Sequence, residues 1–566
     1  MPHSLLILAC LSGSAFGRAP LRHAPSSASV QAASAAWERG PEALSDWRAQ
    51  RMHPGDEDGM QVVVELVRGV HPDELLACID QHMVGTWAEL WVEPWLVDHA
   101  QVQLWVPWDE LTALEACPEV LRIREPHRAR PRYEMSEGYD AMFRQDWHAQ
   151  GVTGKGVEVA VLDVGFFGYD GLLGNELPSR VDTWEPSAGG PSLFESSIHG
   201  TAVAEIIHDI APAAGLELYA FSTETEFLEA VQTVASSNVH IVNGSVGFDN
   251  IWHPDGTSPV TQAVDLLVSD FGKTWVAAAG NENQRYRIGP LSNEADDVVA
   301  IGGMSPVWIS TSGGWAQVSL RWSEPMGQAA VDLDLLVYDE DGERCDARGW
   351  GEDYQDGQGG DDHPYELVKC HTGGSLAQAW VVANGHNVSG LEGYLYAYAG
   401  LDAADAAPER NLTLPGDTRN GISVGAVDLP LFDEVASYSS RGPTDYGEPR
   451  PHLVGPAGVS TASYGSSLFS GTSSATPHVT GVAALVLHAD HRSMEPAELR
   501  DFLIGAAIDI GPEGVDNASG AGFLSPDAVP WNGCRCAQAP NVPSRSSWMW
   551  VVLGCAVAIL QRRRMR

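Results

Sequence analysis

Hydrophobic positions along this chain change their spacing in successive stretches, and each change predicts a different kind of structure. Between Gln61 and about Pro126, VVVELV reads as a strand, HPDELLACID as a helix, and VQLWVPWDELTALEACPEVLRIREP as strand, helix, strand. That is the pattern of a small α+β unit. From about Ala141 the apolar runs become continuous. VEVAVLDVGF, whose strand ends at Asp163, is followed by Leu216–Phe221, His240–Val246, Thr274–Asn281 and Gly421–Val427. Unbroken runs of this kind belong to strands buried on both faces of a parallel sheet. Helical spacing fills the intervals between the first four, notably His199 to Asp209 and Thr225 to Ser236. The expected class is therefore α/β, a parallel sheet flanked by helices.

The alternation breaks from about Arg287 to Leu412. Helical periodicity disappears there, and AQVSLRW, VDLDLLVYD, AWVVAN and GYLYAYA are separated by Gly- and Asp-rich turns, which predicts an inserted β-sandwich. After it, Leu468 to Val486 reads as a loop and then a helix, with Val479, Val482, Ala483 and Val486 at helical spacing and Pro477 near the first turn. Ser473 falls at the start of that helix, among unpaired N–H groups at the positive end of the dipole.

Composition narrows the function classes. Across 566 residues, 33 Lys and Arg stand against 75 Asp and Glu, a net charge of −42. Such a surface repels nucleic acid and anionic membranes and suits a soluble exported protein. The apolar run Leu5 to Phe16 before Ala15-Phe16-Gly17 reads as an export signal, although no Lys or Arg precedes it. Cys78 with Cys117, and Cys345 with Cys370, each fall within one expected domain and suit disulfides in an oxidising compartment. The region expected to hold the chemistry has no cysteine, which excludes a thiol nucleophile there.

Acyl transfer by serine needs a nucleophile, a base and an acid that orients the base. Asp163 stands in V-L-D-V-G at a strand end, His199 in H-G-T-A-V-A opening a helix, and Ser473 in G-T-S-S-A-T-P-H-V. Asn281 follows A-A-A-G, and Ser437 to Pro443 reads S-Y-S-S-R-G-P. Taken singly, an Asp before Gly is commonest as a turn, a His at a helix start as a solvated cap, and an Asn after Gly as a turn. Together and in this order, the motifs resemble those of the subtilisin-like serine proteases, the subtilase family, over roughly residues 146–527. Val164 departs from the small polar residue usual after the family's aspartate. The interval from Asn281 to Ser473 is long for the family, and the β-insert accounts for the excess.

The resemblance implies a subtilisin-like fold and a serine endopeptidase acting on proteins or peptides, with Asp163, His199 and Ser473 as the triad. It gives Asn281 the oxyanion and Ser245, Val246 and Gly247 the pairing with substrate. Neither metal nor organic cofactor is needed for the chemistry. Structural calcium would be usual, and Asp332, Asp334, Asp339 and Asp341 are the acidic candidates, set against a plainer reading as outward carboxylates and a turn. The unit at 61–140 resembles the family's propeptide, which inhibits its own enzyme until removed, with Arg128 to Arg132 as the cleavage region. The apolar run Trp548 to Leu560 before Arg562-Arg563-Arg564 resembles the C-terminal sorting tails of myxobacterial exported proteins, a transient membrane tether, though it is shorter than the roughly 20 residues a span needs. The organisation expected is a signal peptide at 1–17, a flexible lead at 18–60, the propeptide at 61–140, the catalytic domain at 141–286 and 413–527, the β-sandwich at 287–412, and a tail at 528–566. The rival expectation is a catalytically inactive binding protein on the same scaffold, working through its β-insert.

Overall fold

The computed structural model describes residues 59–92, 100–124, 138–143, 147–186, 192–345, 351–354, 363–465 and 467–526, together with residue 126 and isolated positions between 30 and 39. The expected signal peptide, the basic strip at 128–132 and the tail at 528–566 lie outside the described residues.

The small N-terminal domain consists of β1 (Gly59–Leu66), α1 (Pro72–His82), β2 (Trp87–Val92), β3 (Gln101–Pro107) and β4 (Val120–Arg124), in one antiparallel sheet of order β2-β3-β1-β4. A capping box between His71 and Glu74, with proline in the first turn, starts α1. Leu75 and Ile79 on its inner side bury against Val62, Val64, Val102 and Leu104 of the sheet. Val30 and Ala36 join the same core. The stretch 18–60 is therefore not all flexible lead, because two of its apolar side chains are buried here and β1 already begins at Gly59. Cys78 and Cys117 are bonded, tying α1 to the turn before β4.

The main domain begins with β5 (Glu158–Asp163) and β6 (Asp182–Trp184), then α2 (His199–Ile210), β7 (Gly215–Ala220), α3 (Glu224–Ala235), β8 (Ile241–Gly244), α4 (Pro259–Ser269) and β9 (Thr274–Ala278). The chain then leaves for the insert: β10 (Tyr286–Asn293), β11 (Val298–Ile301), β12 (Val307–Ser310), β13 (Trp315–Trp322), β14 (Asp334–Tyr338), β15 (Gly351–Tyr354), β16 (Tyr365–His371), β17 (Leu376–Val382) and β18 (Glu392–Ala397). It returns through β19 (Ile422–Asp428), β20 (Leu453–Ala457), α5 (Thr472–Ala489), α6 (Pro496–Gly505), β21 (Ala507–Ile508) and β22 (Phe523–Leu524).

The main sheet has the order β21-β22-β20-β19-β9-β8-β5-β7-β6 and is parallel except for β21 against β22. One face packs on α2, α5 and α6, and the other on α3 and α4. Covering both faces explains the unbroken apolar runs: five of the six residues of β5 are buried. Residues Thr472 to Leu487 of α5 are buried on every side, so α5 is a central helix and not a surface one with a single apolar stripe. Because β7 and β8 lie on opposite sides of β5, the connections diverge there. In open α/β sheets such a switch point, at the carboxyl ends of the strands, is where functional groups collect.

In the insert, β10 pairs with β18 through Tyr286 to Pro290 and with β11 through Leu291 to Asn293. A strand that changes partner midway turns one sheet into two facing layers, which enclose a shared core that includes Val318, Leu320, Leu335, Val368 and Val381. Cys345 and Cys370 are bonded inside it. Asp339 accepts the N–H groups of Asp341 and Glu343 at 3.0 and 2.9 Å, and Asp332 accepts the Asn384 amide. Among the described residues, the four aspartates considered for calcium do not form a cluster of ligand atoms.

Candidate active site

Asp163 ends β5, at the switch point. Its Oδ1 accepts the N–H of Val164 at 2.8 Å, so the departure at Val164 leaves the backbone hydrogen bond to the acid intact. His199 is the first residue of α2, and its Nδ1 lies 2.8 Å from both carboxylate oxygens of Asp163. Both side chains are fully buried. Gly200 is glycine for reasons of space: a Cβ there would stand 2.5 Å from the Gly165 carbonyl and 2.7 Å from Asp163 Cβ. Any larger residue would crowd Asp163 and the Gly165 carbonyl.

Ser473 lies in the first turn of α5, whose N-cap Gly471 has a φ of 87°, a left-handed conformation that favours glycine. Its Oγ donates to the Ser245 carbonyl at 2.8 Å, and Ser245 Oγ donates in return to the Ser473 carbonyl at 3.0 Å. Asn243 and Thr480 extend this buried network below the serine. His199 Nε2 is buried without a hydrogen-bond partner. The Ser473 hydroxyl is thus turned to the Ser245 carbonyl and not to His199. The Asp163 partner on Nδ1 leaves Nε2 as the nitrogen open to accept a proton.

Asn281 follows β9, two strands from β5 in the sheet. Its Oδ1 accepts the N–H and the hydroxyl of Thr472 at 2.9 and 3.1 Å, which fixes the amide orientation and leaves Nδ2 as its donating end. The Thr472 hydroxyl also accepts the Gly280 N–H at 3.1 Å. Asn281→Leu is expected to lower kcat by about 10²–10³, the scale for losing one oxyanion donor, with little change in KM. Steady-state kinetics on a peptide substrate checks this, and a change confined to KM would assign Asn281 to binding instead.

Of the expected substrate segment, Ser245 contacts Ser473 directly, while Val246 and Gly247 continue beyond β8 as buried residues. Gly244 makes room for the indole of Trp275 on β9, whose nearest atom would lie 2.6 Å from an added Cβ. That glycine serves strand packing and not the site.

Two residues near the site were not anticipated. Phe469 stands edge-on to His199 with ring centroids 5.2 Å apart. Glu205, buried on α2, accepts the N–H groups of Ala462 and Ser463 at 2.6 and 3.1 Å and so anchors the loop that carries Phe469. Burial raises its carboxyl above the ordinary range, partly offset by those donors. A glutamate within the apolar stretch T-A-V-A-E-I-I was the available signal.

The model of the Subtilase family matches residues 347–522, a stretch containing Ser473 but not Asp163, His199 or Asn281. Serine protease AprX of Bacillus subtilis is 35% identical over 125 residues, covering 18% of this chain and 28% of its own length. The alkaline extracellular protease of Yarrowia lipolytica is 31% identical over 147 residues, covering 25% of this chain and 31% of its own. The minor extracellular protease Vpr of Bacillus subtilis is 25% identical over 436 residues, covering 66% of this chain and 51% of its own. The chain thus spans under a third of the length of the first two and about half of the third. Its fold is the subtilisin-like α/β arrangement, and its serine-bearing segment is similar to the Subtilase family.

Proposed function

We propose that this protein is a secreted serine endopeptidase made as a zymogen. The observation that carries the reading is the fully buried Asp163–His199 pair at the end of β5 and, past the neighbouring strand β8, a serine in the first turn of α5 held by the Ser245 carbonyl, with the Asn281 amide bonded to the residue before it. In the mechanism, Ser473 rotates away from the Ser245 carbonyl and gives its proton to His199 Nε2 as Oγ bonds to the scissile carbonyl carbon. Asp163 stabilises the imidazolium. The oxyanion is held by Asn281 Nδ2 and the Ser473 N–H, one of the helix-start donors without an intrahelical acceptor. His199 then protonates the leaving amine as the C–N bond breaks. Water, deprotonated by the same imidazole, releases the acyl group and restores Ser473. Every proton transfer uses side chains of this chain. The four-residue constellation is complete, so the inactive-scaffold alternative has no feature in its favour.

The zymogen part is supported by how the N-terminal domain sits on the main one. Gln103 of β3 donates to Glu226 at 3.1 Å and accepts from Thr223 at 2.8 Å, joining the capping box of α3. Arg124, at the end of β4, pairs with Glu224 of α3 and with Glu65 of β1. Burial alone would raise the Glu65 carboxyl, but the charges of Arg124, His363 and Arg122, Arg124 foremost, more than reverse this and hold it at about 2. Thirteen residues, 125–137, lie between the end of β4 and Gly138, and the expected cleavage region falls among them. Secretion follows the sequence reading of residues 1–17, and a transient C-terminal tether that of 548–564. No helix among the described residues is long and apolar enough to cross a membrane. Structural calcium stays part of the proposal without an assigned site. The test is digestion of an unfolded protein by material purified from culture medium: the proposal expects internal cleavage and a mature chain lacking residues 61–126, whereas full-length material without hydrolysis would overturn it.

A further inference from the structure

The two donors assigned to the oxyanion come from separate parts of the chain: Asn281 from the segment after β9, and the Ser473 N–H from the first turn of α5. Their relative placement therefore depends on whatever ties those parts together. The loop Ser437 to Ser440, between β19 and β20, touches both. Toward the asparagine it acts through its backbone and one hydroxyl. The Ser440 N–H donates to the Gly280 carbonyl at 2.8 Å, and its Oγ accepts the Glu282 N–H at 2.9 Å. The Tyr438 carbonyl accepts the Asn283 N–H at 3.1 Å, and the Asn283 amide donates to the Ser437 carbonyl at 2.8 Å. Asn281 is thus held through the residue before it and the two residues after it.

Toward the serine the loop acts through a side chain. The Tyr438 hydroxyl accepts the Gly471 N–H at 2.8 Å and donates to Asp428 Oδ1, at the end of β19, at 2.6 Å. A backbone N–H can only donate and an ionised carboxylate can only accept, so the direction of this relay is fixed. The tyrosine ring packs against the core of the main domain, which leaves its hydroxyl little freedom to move. Gly471 is the N-cap of α5, where an N–H has no acceptor within the helix. It also lies against the oxyanion amide: a Cβ on Gly471 would stand 3.0 Å from Asn281 Nδ2. Any shift of this turn therefore moves Ser473 and its N–H relative to Asn281. Phenylalanine at 438 would pack the same ring and leave the turn without its acceptor.

We propose that Tyr438, oriented by Asp428, is a positioning residue of the reaction: it sets the spacing between the Asn281 amide and the Ser473 N–H. This rests on the endopeptidase reading and adds a residue to its site. The test is steady-state hydrolysis of a peptide substrate by the processed enzyme, with fluorophosphonate labelling in parallel. Tyr438→Phe, Asp428→Ala and Asp428→Asn are compared, the first two also in the Asn281→Leu background. Tyr438→Phe should lower kcat about tenfold with KM unchanged, the scale of one lost hydrogen bond. Asp428→Ala should do the same, and because it leaves the ring in place it carries the comparison should Tyr438→Phe fail to fold. Asp428→Asn keeps an acceptor for the hydroxyl and should stay within about twofold of wild type. In the Asn281→Leu background either of the first two substitutions should cost less than about threefold, because the donor being aligned is gone. A merely structural role would act equally in both backgrounds. A labelled, active wild type whose kcat neither substitution moves, or whose full tenfold loss persists without Asn281, would overturn the proposal and leave the endopeptidase reading standing. A wild type that neither labels nor cleaves would overturn both.

Discussion

Ser473→Ala is expected to reduce peptide hydrolysis by about 10⁶ in kcat, the scale known for loss of a subtilisin nucleophile. The size follows from the geometry. Asp163 and His199 are buried and bonded to each other, so without the serine hydroxyl they have no group to activate except water. The oxyanion donors remain, which leaves a small residual rate above the uncatalysed reaction. The variant should keep its fold, because the lost hydroxyl donates one hydrogen bond, to the Ser245 carbonyl, whereas the reciprocal bond from Ser245 to the Ser473 carbonyl stays. Activity close to that of wild type would remove Ser473 from the chemistry.

The second large effect concerns the contact between the two domains. Arg124→Ala, made in the Ser473→Ala background so that the chain stays whole, should cost about 3–5 kcal/mol of stability, because it strands two carboxylates that the guanidinium now pairs. Glu224 is fully buried and cannot recover water in its place. The effect also has a pH signature. The Glu65 carboxyl is depressed to about 2, so its stabilising share is fully present above the unfolded value near 4.5 and is lost as pH falls toward 2. That acid-dependent loss should shrink in the variant, where only the charges of His363 and Arg122 still hold the carboxyl down. Urea unfolding of the intact chain at pH 7 and at pH 3 measures both, and a variant within about 1 kcal/mol of its parent would show that Arg124 does not hold the domains together.

Much of this was legible in the residues. The strands of the main sheet stand out because burial on both faces makes their apolar runs continuous, and Asp163 and Asn281 then fall at or just beyond strand ends. The helix at Ser473 was visible in its spacing, although its burial on every side was not: periodicity reports an apolar stripe but not what surrounds the rest. β20, LVGPA, escaped notice because a five-residue strand containing Gly and Pro carries little signal. The contacts that decide the site's details were out of reach. Thr413 meets Gly247 and Gly280 across separations of well over a hundred residues, Glu205 reaches Ala462, and Gln103 reaches the start of α3. None has a local periodicity to announce it. Gly244 shows the same limit: its need to be glycine comes from Trp275, on the neighbouring strand. In the stretch 18–60, a composition rich in Ala and Ser hid the two side chains, Val30 and Ala36, that the small domain buries.

The central claim is that Ser473 is a nucleophile activated by His199 and Asp163. Its most direct test is to treat the processed protein with a fluorophosphonate and map the adduct by peptide mass spectrometry, alongside His199→Ala. The account predicts one adduct per chain, on Ser473, and its loss in the histidine variant. A wild-type chain left unmodified, or one modified at another serine with Ser473 free, would contradict it.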